Sequence, residues 1–183
     1  SAPLVADGVK TMRCDTNTIL GGWNIIGPLG VDGAQLNAFW SRTYSDLPTH
    51  NSIKLQLKFY PLDTWDGDTR SLTDYFKIQL DTTTYTMWVL QNDASNVLTW
   101  VTRNICGANS YDLPSIIIYL TMAHTDDKLV VKVISMLDQN SGNESLGFRD
   151  IILTLLDTTG TQTHCGVTTG YPLSNNACSC RTG

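Results

Sequence analysis

Charge is scarce in this chain. Asp, Glu, Lys and Arg make up 16% of its 183 residues, and the 12 cations are scattered singly rather than clustered. A nucleic-acid backbone calls for a clustered basic face, and a net charge of −5 works against one, so nucleic acid is excluded as a partner. No apolar run approaches the roughly eighteen residues of a membrane-spanning helix, so no span is expected. Histidine occurs only at His50, His124 and His164, and no Gly-x-Ser-x-Gly elbow is present. Carboxylates are grouped in loops, without a separable pair of the kind that cleaves glycosidic bonds. A non-enzymatic protein is therefore expected. Helical periodicity of useful length is also missing, as are internal repeats and linkers.

What the chain does have is apolar residues, at 42%, on a surface where Thr, Ser and Asn stand in for Lys and Glu. That composition and length suit one globular unit with a real core. Ile53 to Tyr60 alternates apolar and polar side chains without a slip, the period of a half-buried β-strand. Pro61 is expected to end this strand by removing a backbone donor. Similar segments are read at 21–27, 35–44, 75–80, 84–91, 97–102, 115–121, 129–133 and 149–157, with turn residues between them. The run Ile116-Ile117-Ile118 is expected to be fully buried. About nine short strands without helices predict an all-β fold, an antiparallel β-sandwich of jelly-roll type. Three parts are expected: an N-terminal arm over 1–21, the sandwich over 22–157, and a cysteine-bearing tail over 158–183.

Five cysteines, Cys14, Cys106, Cys165, Cys178 and Cys180, point to disulfides and an oxidising compartment, with one thiol left over. Zinc held by His164, Cys165, Cys178 and Cys180 is disfavoured, because the Cys-x-Cys spacing is unlike common zinc loops. Three fates are open to the arm: a disulfide from Cys14 to the tail, strand addition to a neighbouring subunit, or folding back on its own domain. Ser1-Ala2-Pro3 suits the start of a mature secreted chain. Asn143-Glu144-Ser145 is a sequon, so an N-linked glycan on Asn143 is expected in a secretory setting.

Two acidic loops carry the candidate chemistry. Asp63, Asp66 and Asp68 surround Trp65 in the first, and Asp138, Glu144 and Asp150 belong to the second. If both loops lie at one end of the sandwich, these carboxylates supply oxygen ligands of the kind Ca2+ requires. The plainer reading is that they cap turns, accept backbone N–H groups and pair with Arg70 or Arg149. Trp65, between the acids, is the one tryptophan placed to stack on a sugar. His50 and His124 precede alternating strands at similar offsets, which marks paired structural positions rather than a catalytic relay.

Two blocks in this order, Leu62-Asp63-Thr64-Trp65-Asp66-Gly67-Asp68 and Leu137-Asp138-Gln139 followed by Asn143-Glu144-Ser145-Leu146-Gly147-Phe148-Arg149-Asp150, have a familiar look, with His124 ahead of the second. Together they resemble a β-domain that recurs in large, secreted, cysteine-rich surface proteins of ciliates and related protists. The resemblance covers roughly residues 22–157. It departs at Leu146, where that family usually has tryptophan, and at Asp68, where it usually has glutamate. It implies an extracellular surface or matrix setting and no particular activity. The function expected is that of a secreted structural protein, a building block of a surface coat or filament whose partner is itself, joined through residues 1–20 or the tail. A calcium-dependent, lectin-like module that binds glycans is the alternative.

Overall fold

The computed structural model describes residues 4–6, 11–27, 39–63, 65, 74–88, 104–107, 112–137, 139–168 and 180–182. They form an all-β structure of two sheets packed face to face. The first has the order β1 (Leu4–Ala6), β4 (Phe39–Tyr44), β9 (Leu129–Met136), β6 (Tyr75–Leu80), β7 (Thr83–Trp88). The second is built on β5 (Ser52–Asp63), which lies between β8 (Ile116–Ala123) and β10 (Glu144–Leu156). On its far side β10 pairs first with β3 (Asn17–Gly21) and then with β11 (Gln162–Thr168). β2 (Thr11–Cys14) and β12 (Cys180–Thr182) flank these. Pairing is antiparallel apart from β1 with β4.

Alternation in the sequence becomes burial in the sandwich. Ile53, Leu55, Leu57 and Phe59 of β5 face Phe76, Ile78 and Leu80 of β6 and Leu129, Val131 and Val133 of β9 across one core. Aromatic rings join the layers: Phe59 stacks on Phe76 at 3.9 Å and 9°, and Trp40 meets the edge of Phe148 at 5.1 Å. The opposite face of β5 turns Tyr60 and Leu62 into a second, smaller cluster with Cys14 and Ile19. Gly147 lies against this cluster, where a Cβ would come within 2.4 Å of Ile19 Cδ1 and 3.2 Å of the Leu20 carbonyl oxygen.

Several expectations are corrected. Of the three fates open to the arm, residues 11–21 fold back on their own domain as the β2–β3 hairpin of the second sheet, and Cys14 bonds to Cys106 rather than to the tail. Within the expected tail, β11 pairs with β10 after a tight turn. There the Asp157 carboxylate accepts the Thr159 hydroxyl and the Thr159 and Thr161 N–H groups, which hold it below its ordinary value. Residues 22–27 form a turn instead of a strand, because Gly21, Gly22 and Asn24 adopt positive φ. Pro61 does not end β5. β8 stops opposite Phe59, so the missing donor falls where the strand has lost its neighbour on one side. The expected strand at 97–102 lies outside the described residues.

The isoleucine run is a further correction. β8 is an edge strand among the described residues, pairing only with β5. Ile118, Leu120 and Met122 pack on the core, while Ile117 and Tyr119 are 51% and 55% exposed. Core and edge should therefore respond very differently to truncation. Phe59→Ala is expected to cost about 3–5 kcal/mol in urea unfolding, whereas Ile117→Ala should stay within about 0.5 kcal/mol.

Candidate functional site

β5 spans the sandwich from one rim to the other, roughly 35–40 Å at the usual rise of a strand. Its end carries the acidic loops and its start carries the histidines, so the two candidate chemistries lie at opposite ends.

At the first rim the two acidic loops do meet. Asp63 and Glu144 are register partners across β5 and β10, and both are fully buried. Glu144 Oε2 accepts the Gln139 N–H at 3.1 Å. Two further buried carboxylates, Asp74 and Asp112, belong to the described part of the chain. Asp112 works as a staple. One of its oxygens accepts the Asp63 N–H at 2.7 Å, and the other accepts the N–H groups of Ile105 and Cys106. Burial pushes this carboxyl above its ordinary value, with the three backbone donors pulling the other way. The disulfide from Cys14 to Cys106 closes the same corner, and a crosslink over 92 residues is worth about 2–5 kcal/mol. Gly107, at φ +114°, passes so close that a Cβ there would lie 2.8 Å from Asp63 Oδ2.

These acids also shape the backbone. Among the described residues, every non-glycine residue with positive φ is Asp or Asn: Asp15, Asn24, Asp46, Asp63, Asp81 and Asp150. Short polar side chains of this kind tolerate the left-handed region best. Asp150 stands at the bulge in β10, paired with Arg149 at 3.0 Å, and is not part of the rim. Among the described residues no three His, Cys, Asp or Glu side chains are grouped to hold a metal ion. Asp66, Asp68 and Asp138 lie outside the described residues.

Trp65 corrects the expectation of a sugar platform. It is fully buried, its ring edge-on to Phe59 and Phe76, and its Nε1–H donates to the Ser145 carbonyl at 2.9 Å. The indole plugs the end of the core and bridges the two loops. Asn143, in contrast, is exposed on the turn beside buried Glu144, so a glycan at Asn143 and an inward-facing Glu144 do not compete for space. Cys165 and Cys180 are register partners across β11 and β12, and Cys178 lies outside the described residues.

The opposite rim holds a constellation that sequence reasoning placed in pieces but did not assemble. His50, before β5, and His124, after β8, are both buried, with Nε2 of His50 2.7 Å from Nδ1 of His124. The rings are nearly parallel, at 15°, with centroids 5.0 Å apart. His50 Nδ1 faces the Pro48 carbonyl at 2.6 Å, while His124 Nε2 faces Asp81 Oδ2 and the Lys128 carbonyl, each at 3.1 Å. Asp81 comes from the β6–β7 turn of the other sheet and accepts the Val130 N–H through Oδ1 at 2.8 Å. The pair thus ties the two sheets together. An open depression of about 660 Å³ borders Asp81, His124 and Asp126.

The raised carboxyl of Asp112 gives a pH test. A carboxyl raised in the folded state contributes most to stability when protonated, below the ordinary value of 3.8, and loses that contribution as pH climbs through the raised value. Asp112→Asn removes the proton-dependent part. Urea unfolding measured across the acid range should show that the variant lacks this decline, with the other carboxylates unchanged.

No family model matches this chain, and no curated protein shows significant similarity to it.

Proposed function

We propose that the chain is a non-enzymatic, extracellular structural protein that associates with copies of itself to build a surface coat or filament. The observation that supports this reading is that β8 lies at an edge of the second sheet among the described residues. An edge strand presents unpaired backbone donors and acceptors, and most proteins protect such edges with charge or proline. Ile116–Ala123 contains neither, and Ile116, Ile117 and Tyr119 are exposed. Lys54 of β5 lies over the Tyr119 ring at 5.1 Å. Strand addition here extends the second sheet into the next copy. Self-pairing of β8 closes a dimer, whereas pairing to a different edge propagates. The Cys14–Cys106 disulfide suits an oxidising, extracellular setting.

Light scattering and negative-stain electron microscopy over a concentration series test this. The wild-type chain is expected to form dimers or longer assemblies, and the double variant Ile117→Lys/Tyr119→Lys to remain monomeric with unchanged circular dichroism. A wild-type chain that stays monomeric throughout, or a double variant that assembles equally well, defeats the reading.

A calcium-dependent glycan-binding module is the second reading, supported by the meeting of Asp63 and Glu144 from the two acidic loops. Its sugar-stacking part is lost with the burial of Trp65. On this reading, calcium at a hundred times its dissociation constant raises stability by about 2.7 kcal/mol. Thermal melts with calcium and with chelator check it, and superimposable curves dismiss it.

A further inference from the structure

We infer that His50 and His124 form a proton-binding site that carries one proton more than two neutral imidazoles, held against Asp81. The inference comes from counting donors along a line of contacts. At one end, the Pro48 carbonyl only accepts, so His50 Nδ1 carries a hydrogen. At the other end, His124 Nε2 meets the Asp81 carboxylate and the Lys128 carbonyl, both acceptors, so it too carries a hydrogen. The 2.7 Å contact between His50 Nε2 and His124 Nδ1 needs one hydrogen between two nitrogens. Three protons on four ring nitrogens result, and the pair carries one positive charge.

Other counts leave a buried clash. Two protons set a bare nitrogen against an acceptor at one of the three contacts. Four set two N–H groups against each other at 2.7 Å. Unsatisfied groups are costly in a site where the two histidines are 3% and 7% exposed. Moving the third proton to Asp81 does not serve equally. A protonated Asp81 satisfies His124 Nε2 but leaves that nitrogen's lone pair facing the Lys128 carbonyl as well. Ionised Asp81 instead accepts from Val130 through Oδ1 and from the ring through Oδ2. Of the charged and titratable groups among the described residues, Asp81 faces the site from the β6–β7 turn, and Asp126, Asp127 and Lys128 border the adjoining depression from the segment after β8.

This site is independent of association through β8. It gives the rim an ionic tie between the sheets: His124 from the second sheet, Asp81 from the first, and a proton that is also shared with His50.

The test is a count of ring N–H groups by nitrogen-15 NMR on the full chain labelled at histidine, at neutral pH. For His50 and His124 together, three protonated nitrogens are expected, one of them in a short N–H···N bond. Two protonated nitrogens in the wild-type chain overturn the inference.

Discussion

The antiparallel ladder between β5 and β10 carries the rest of the structure. It runs from Ser52 opposite Leu156 to Asp63 opposite Glu144, the full width of the second sheet. Because β5 is one continuous strand, its two ends are held rigidly far apart, and each end delivers polar groups that the sheet then buries. β10 serves two neighbours on its far side, β3 and then β11, and it makes that change at the bulge around Arg149 and Ile152. Asp150, at φ +52°, supplies the local bend that lets one strand border two. Fixing β10 therefore also fixes the N-terminal hairpin and the C-terminal strands as parts of a single sheet.

Carboxylates do unusual amounts of structural labour in this protein. Asp residues take the left-handed positions that glycine fills elsewhere, and Asp112 gathers three backbone N–H groups beside the disulfide. Asp81 does both, forming the β6–β7 turn and meeting the paired imidazoles. A chain with little charge can hold these groups inside because each meets donors already fixed by the strands, so that little ordering cost remains. The acidic composition is thus a property of turns and rims as much as of the surface.

The strands of the core were legible in the sequence, because alternation along β5, β6 and β9 translates directly into an inside and an outside face. The meeting of the two acidic loops was anticipated as a condition and holds for Asp63 and Glu144. Trp65 and β8 were misread for one shared reason. A tryptophan between acids and a run of isoleucines look alike in sequence whether a second layer covers them or not. Coverage depends on which strands are neighbours, and no local pattern contains that. The Cys14–Cys106 bond and the staple from Asp112 were hidden in the same way, since their partners are distant along the chain.

By itself, the sequence determined the all-β class of the fold and the use of Asp and Asn at turns. Those follow from the chemistry of single residues and their near neighbours. Only the tertiary structure decided that residues 11–21, 162–168 and 180–182 join the second sheet, that Trp65 is interior, that β8 lies at an edge among the described residues, and that His50, His124 and Asp81 meet. These are contacts between segments far apart in the chain, selected by the packing of two layers rather than by any residue's own preference.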